Sequence, residues 1–205
     1  MVASSKGKIK LPRPSFKGKL SVEEAMRQRT SQRSFLDRPL NLSQVSQLLW
    51  AAQGMTEGGG FKRTAPSAGA LYPLEIYLVV GKAEGLKSGV YHYSPEGHMV
   101  SSFLEGSCQH SLARACLSQS FVGASPLSIV VAAEYERTAI KYGERGVRYV
   151  LMEAGHVGQN IALQAVGLGL AACHVGAFRD KEVSRVLKLP ERHRPLYIVV
   201  VGYAS

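Results

Sequence analysis

The sequence predicts an α+β sandwich, a central β-sheet with helices laid over it. Apolar, β-branched runs suited to buried strands occur at 74–80, 126–133, 171–177 and 195–202. Segments whose apolar residues recur at helical spacing lie between these runs. Only one simple strand–helix–strand unit is present, around residues 126–175, so the elements do not alternate as a doubly wound parallel sheet requires. No Gly-x-Gly-x-x-Gly follows a strand and no Lys-Ser/Thr phosphate loop is present, which argues against a dinucleotide or nucleoside triphosphate fold.

Taken in order, residues 1–20 read as an extended basic arm. Leu11-Pro12-Arg13-Pro14 is barred from helix because each proline restricts the residue before it. Ser21-Val22-Glu23-Glu24 has the form of a capping box and opens a first helix carrying Ala25 and Met26. That helix runs into Arg29-Thr30-Ser31-Gln32-Arg33-Ser34-Phe35, where two arginines and three hydroxyls fall within six residues. If the stretch is extended, Arg29, Ser31 and Arg33 share one side. Rigid guanidinium forks with short hydroxyl donors suit a phosphate; the alternative is a solvated basic turn. Asn41-Leu42-Ser43 begins a second helix with Val45, Leu48, Leu49 and Ala52 as its apolar set and Gly54 at its end. Trp50 within it reads as packing. Residues 56–64 are glycine-rich, centred on Gly58-Gly59-Gly60.

The turn Pro66-Ser67-Ala68-Gly69-Ala70-Leu71-Tyr72-Pro73 has almost no side-chain bulk in its first half, so its backbone N–H groups can approach a flat or anionic ligand. It feeds the strand Leu74 to Val80, which Gly81 ends. Residues 89–93 and 98–100 read as a hairpin around Ser94-Pro95-Glu96-Gly97, which sets His92 opposite His98; a metal there lacks further ligands. Residues 107–120 read as one helix. After the 126–133 strand a polar stretch from Glu134 to Arg148 contains Lys141-Tyr142-Gly143. A long helix is expected over 149–168, with a stripe of small residues at Ala154, Gly158, Ala162, Ala165 and Gly169 that lets another element come close. This helix is the candidate for the centre of the fold or for a dimer interface. Asp180 is expected to cap a short helix through Leu187. No internal repeat or composition break marks a second domain, so residues 21–205 form one domain behind the arm.

The composition, 45% apolar and 20% charged, is that of an ordinary globular protein. No apolar run reaches the ~18–20 residues of a membrane span, and the basic N-terminal stretch has no apolar core of a signal peptide, so a cytoplasmic location without membrane partners is expected. Six of the ten net positive charges, at Lys6, Lys8, Lys10, Arg13, Lys17 and Lys19, precede the first acid, Glu23. The arm lacks interleaved aromatics, so nucleic acid is not an expected partner, and packing through Ile9, Leu11 and Pro12 is the favoured use of it. The modest positive balance of the body suits an anionic cofactor. Cys108, Cys116 and Cys173 match neither a zinc site nor a redox pair and read as reduced, partly buried residues. Cys173 and His174, adjacent on a strand, point to opposite faces.

Several of these segments, in this order, resemble the nitroreductase-like flavoproteins. They are Arg29 to Phe35, Pro66 to Glu75, Lys141-Tyr142-Gly143, Glu153-Ala154-Gly155-His156 with Gln159-Asn160, and Val175-Gly176-Ala177-Phe178. The chain looks closest to the SagB-type branch, which includes the oxidases of thiazole/oxazole peptide biosynthesis. The resemblance covers about Leu11 to Gly202. It implies an α-β-α sandwich with a mostly antiparallel sheet, helices on both faces, the long helix at a dimer interface, and a homodimer with two FMN molecules between the subunits. In the resembled family Arg29, Thr30, Ser31 and Arg33 match the segment that holds the FMN phosphate and ribityl chain. Pro66, Ser67, Ala68 and Gly69 match the turn laid against the isoalloxazine from the partner subunit, and Val175, Gly176 and Ala177 match backbone near the ring. The usual Arg-Arg-Ser is Arg29-Thr30-Ser31 here, and a basic residue many relatives carry after the last strand has no counterpart before Ser205. Lys141 and Tyr142 match a pair associated with proton abstraction in the azoline-oxidising branch; an exposed lysine beside a packing tyrosine is the other reading. His156 lines the site or sits in the core. The leading functional expectation is an FMN-dependent oxidoreductase that takes electrons from NAD(P)H to a nitro or quinone-like acceptor. The alternatives are an azoline dehydrogenase with peptide-biosynthesis partners and a non-catalytic flavin- or partner-binding module. No metal is expected.

Overall fold

The computed structural model describes residues 7–56 and 62–205; Lys6 of the arm and the glycines at 58–60 lie outside the described residues. The elements in chain order are β1 (Lys8–Lys10), α1 (Val22–Gln28), α2 (Leu42–Gln53), β2 (Leu74–Val80), β3 (Gly89–Ser94), β4 (Met99–Glu105), α3 (Gln109–Ala115), α4 (Ser120–Ala124), β5 (Leu127–Ala133), α5 (Glu136–Tyr142), α6 (Arg145–Gly167), β6 (Ala171–Val175), α7 (Asp180–Leu187) and β7 (Arg194–Gly202).

The helix starts follow local chemistry. The Ser21 side chain accepts from the Glu24 backbone N–H while Glu24 reaches back to the Ser21 N–H, and Asn41 and Gln44 repeat the exchange at α2. Asp180 is the first residue of α7 and not its cap; Arg179 holds that place without a capping side chain. The expected helix over 107–120 is broken in two, because Leu117 and Ser118 adopt positive φ between α3 and α4. The polar stretch after β5 is also helical: α5 ends at Gly143, with φ 54°, and α6 begins four residues earlier than the apolar pattern indicated. Periodicity missed these turns because α5 buries only Thr138 and exposes Ile140, leaving no apolar stripe to read.

All seven strands form one sheet in the order β1-β4-β3-β2-β5-β7-β6, and every strand pair is antiparallel. Side-chain alternation sends Leu74, Ile76, Leu78 and Val80 of β2 to one face, with Ile129 and Val131 of β5, where they meet Leu48 and Leu49 of α2 and Val150, Val157 and Ile161 of α6. Tyr77, Val79, Val130, Ile198 and Val200 go to the other face, against Leu112, Val122, Val183 and Leu187. Helices therefore cover both faces. β5 is buried along its whole length, which explains why it is apolar apart from Ser128.

The small-residue stripe of α6 turns inward. Ala154, Gly158, Ala162 and Ala165 are buried, and a methyl group placed on Gly158 would lie 3.0 Å from the Tyr197 ring and 3.2 Å from His174. The stripe thus lets α6 approach the sheet of its own chain. Its outer face instead exposes Val147, Leu151, Met152, Gly155 and His156. Of the arm, β1 pairs with β4 and Leu11 is buried in the core. The two hairpin histidines are not opposite each other: His92 pairs with Ser101, and His98 bonds Tyr93 and Ser46. The three cysteines are free and buried, and burial pushes the Cys108 and Cys116 thiols up to about 11. Cys173 faces the α3/α4/α7 side, while His174 stacks on Tyr197 beneath α6.

Candidate active site

The Pro66 turn is a single 3₁₀ turn, Ala68–Ala70, in which Gly69 (φ 63°), Ala70 (φ 55°) and then Tyr72 (φ 47°) take left-handed backbone. Ser67 ties it: its hydroxyl oxygen accepts from the Tyr72 N–H at 2.9 Å. The same hydroxyl reaches the buried carboxyl of Glu153 on α6. Burial raises the Glu153 pKa, partly offset by hydrogen bonds from Ser67 and Gln53 and by the charge of Arg63. Gln53 Nε2 donates to Glu153 at 3.2 Å, Arg63 donates to Gln53 at 2.9 Å, and the Arg63 guanidinium lies 4.2 Å from the centroid of the Tyr72 ring.

Lys141 and Tyr142, 72 and 73 residues beyond Gly69 in the sequence, are brought onto this turn. A methyl group placed on Gly69 would lie 2.9 Å from the Tyr142 hydroxyl and 3.0 Å from Lys141 Nζ. Any side chain at residue 69 would displace both, and the positive φ adds its own penalty. Lys141 is exposed and Tyr142 half-buried, its ring edge-on to Tyr149 at 5.1 Å. The pair and the turn thus share one surface.

Beneath that surface lies a charged network. Glu75, two residues after Pro73, takes bonds from His92 Nε2 at 2.6 Å and from Arg137. Arg137 also pairs with Glu134 at 2.6 Å and donates to the Tyr72 carbonyl at 3.1 Å. Burial works against the Glu75 charge, but the hydrogen bond and charge of His92 and the guanidinium of Arg137 outweigh it and hold the carboxyl at about 2. Glu75, Glu134 and His193 bring potential ligand atoms within 4.8 Å of one another. Arg137 already bridges the two carboxylates and Arg192 pairs with Glu134, so guanidinium groups supply the positive charge there. His193 Nδ1 meets the Tyr77 hydroxyl at 2.7 Å.

The Glu75 shift carries a pH dependence. A carboxyl depressed from the ordinary 4.5 to about 2 stabilises the fold above that ordinary value, and the contribution disappears as pH falls through the folded value. The full amount is about 3 kcal/mol. Glu75→Gln should therefore flatten the loss of urea resistance between pH 5 and roughly pH 2 relative to wild type, when denaturation midpoints are compared across that range. An unchanged acid slope would show that Glu75 is not a principal acid-sensitive group.

Arg29 to Arg33 runs beside β6. Ser31 bridges Ala172 in parallel sense, and the Gln32 N–H donates to the Ala172 carbonyl at 3.0 Å. Thr30, Ser31 and Arg33 are exposed and Arg29 half-buried. Neither arginine has a carboxylate partner among the described residues. This is a donor set of two guanidinium groups, that of Arg33 lying 5.9 Å from the centroid of the Phe121 ring, and two hydroxyls on an extended backbone, the chemistry a phosphate ester needs. Past the other end of β6, Gly176 and Ala177 are exposed, and the nearest atom to a methyl placed on Gly176 would be 3.9 Å away on Tyr197, which leaves a flat approach to the backbone. Val175 itself is buried. These residues fit FMN.

The pieces do not meet within one chain. The turn before β2 and the Gly176 loop after β6 emerge at the same end of the sheet, with β5 and β7 between them. Three strand spacings separate them by about 14 Å. Pocket-sized space elsewhere, such as the 440 Å³ cavity lined by Leu20, Trp50, Asn160 and Leu163, does not include these residues.

The nitroreductase family model matches residues 26–203. The chain belongs to the nitroreductase family. Membership makes it an FMN-dependent oxidoreductase, and the family fold is one that binds FMN. A Methanocaldococcus jannaschii protein named "Putative nitroreductase MJ1384" is 46% identical over 183 residues, covering 89% of this chain and 91% of that one. The Escherichia coli "Microcin B17-processing protein McbC" is 30% identical over 177 residues, covering 82% of this chain and 65% of that one. A solved Ralstonia eutropha structure titled a nitroreductase family candidate superposes with a TM-score of 0.85 at 27% identity, over 100% of this chain and 92% of that one. No helix among the described residues is long and apolar enough to cross a membrane.

Sequence reasoning singled out the Pro66 turn, Lys141, Tyr142 and the arginine segment. It passed over Arg63, Gln53 and Arg137, and it quoted Glu75 and Glu153 only as parts of motifs. The available signal for Arg137 is its place four residues before Lys141 in a helix the polar sequence concealed.

Proposed function

We propose that two copies of this chain hold two FMN molecules between them, and that the enzyme dehydrogenates a small organic ring with Lys141 as the base. The observation that carries this reading is the placement of Lys141 Nζ and the Tyr142 hydroxyl against Gly69 of the turn. Arg29, Ser31 and Arg33, with Thr30 beside them, would hold the phosphate and ribityl chain of one FMN. Pro66, Ser67, Ala68 and Gly69 of the other subunit, and the backbone of Val175, Gly176 and Ala177, would bound its ring. The ~14 Å between turn and Gly176 loop in one chain is the reason a second copy is needed. The exposed apolar face of α6 at Val147, Leu151 and Met152, continued by Val22 and Met26 of α1, suits that second copy.

FMN, when bound, supplies the two-electron exchange. The chain's own work is local. Lys141 accepts the proton from a substrate C–H, the Tyr142 hydroxyl orients the substrate heteroatom, and the bulk-free turn lets the substrate lie flat. The likeness to the microcin B17-processing protein favours an azoline ring, the substrate of a SagB-type dehydrogenase, with peptide-biosynthesis partners. The M. jannaschii relative's name favours a second reading, NAD(P)H-driven reduction of a nitro or quinone-like acceptor.

An absorption spectrum tests both. Purified protein should take up FMN and show a flavin band near the usual flavin wavelengths. Under anaerobic conditions a synthetic thiazoline-bearing dipeptide should bleach that band. Bleaching by NADPH alone would select the second reading, and protein that takes up no FMN would end both.

A further inference from the structure

We propose that Arg137 is a positioning residue that clamps α5 to the Pro66–Pro73 turn and so sets Lys141 and Tyr142 at Gly69. This inference rests on the reading of Lys141 as the base, but its geometry is independent of that chemistry. α5 is only seven residues long, ends at the left-handed Gly143 and has no capping side chain. A helix so short does not hold its own position. Close packing holds one side of it: a methyl on Gly146 of α6 would lie 3.1 Å from the backbone of Thr138. Arg137 ties the helix to the turn and to β2 through three different acceptors. One guanidinium nitrogen donates to the Tyr72 carbonyl at 3.1 Å, and the other serves both Glu75 and Glu134.

Those acceptors lie on separate pieces of chain. Tyr72 closes the turn, Glu75 opens β2, and Glu134 lies between β5 and α5. The planar fork of an arginine spans such a set, whereas a lysine head is a single point. Lys141 sits one helical turn beyond Arg137, so a shift of the front of α5 moves Nζ relative to Gly69. Glu75 is itself braced from the far side by His92. The turn is thus held at its Ser67 end by Glu153 and at its Tyr72 end by Arg137.

The test compares Arg137→Gln, Arg137→Lys and Lys141→Ala in the FMN-loaded protein, with Arg192→Gln as the control that loses only the outer Glu134 pair. Hydrogen exchange is read first. Arg137→Gln should speed exchange together in 67–73 and 136–142 and leave the middle of α6 and β5 protected. With the thiazoline dipeptide, kcat should fall ~10–100-fold with little change in KM. Arg137→Lys should recover thermal stability without recovering kcat. Adding Arg137→Gln to Lys141→Ala should cost less than Arg137→Gln costs alone, because part of the arginine's effect passes through the lysine and the rest through Tyr142. Unchanged exchange in both segments, loss of protection throughout the molecule, or recovery of kcat by lysine would each overturn the clamp. Coupled loosening of the two segments together with a harmless Lys141→Ala would uphold the clamp and remove the base.

Discussion

Lys141→Ala is expected to slow oxidation of a thiazoline-bearing peptide by about 10²–10⁴-fold, the usual worth of a positioned general base. The side chain is exposed, and among the described residues it makes no ion pair. Its removal should therefore leave the thermal midpoint nearly unchanged, as for surface substitutions in general. Reduction of the bound flavin by dithionite needs no protein base and should proceed at the wild-type rate. The split between these two reactions is the signature, since a misfolded or flavin-poor variant would lose both. Retention of the peptide oxidation rate would reduce Lys141 to a solvated side chain that happens to lie near Gly69.

The second large effect is expected on cofactor affinity. Arg29→Ala and Arg33→Ala together should weaken FMN binding by ~10²–10⁴-fold, because charge-assisted hydrogen bonds contribute about 1.5–3 kcal/mol each. The apo fold should survive, since Ser31 and Gln32 hold the segment to β6 through the backbone and not through the arginines. Quenching of free flavin fluorescence measures the loss directly. Binding within a factor of ~3 of wild type would place the phosphate on other donors. Thr30 tests the finer point: if its hydroxyl replaces the second arginine usual in the resembled family, Thr30→Val should weaken binding by less than either arginine change.

Much of the architecture was legible because burial writes itself into sequence. The β5 run from Leu127 to Ala133 is apolar at every position but Ser128 because both of its faces are covered. The Ser21 capping box and the Asn41-Leu42-Ser43 start announced the beginnings of α1 and α2 to within a residue. The misses have a common cause. α5 buries only Thr138 and exposes Ile140, and the first turn of α6 buries only Gly146, so neither shows an apolar period, and Leu117 and Ser118 break a pattern that apolar spacing alone would continue. The small-residue stripe was visible, but a stripe does not say what comes close to it; here it is Tyr197 of the same chain. In the candidate site, the turn showed itself through missing bulk. Arg137 and Glu153 did not, because the groups through which they hold the turn are the Tyr72 carbonyl and the Ser67 hydroxyl, 65 or more residues away in the sequence.

Both margins of the seven-stranded sheet are hemmed by the first 33 residues: Lys8–Lys10 along β4, and Ser31 with Gln32 along β6. Trimming the N-terminus would bare unsatisfied amide and carbonyl rows at the β4 border, the template on which foreign strands dock. It would also withdraw Leu11 from the core. A shortened protein that clumps would thus be reporting an opened selvedge, and the two lysines flanking Ile9 are the charges that keep the intact border from recruiting its own kind.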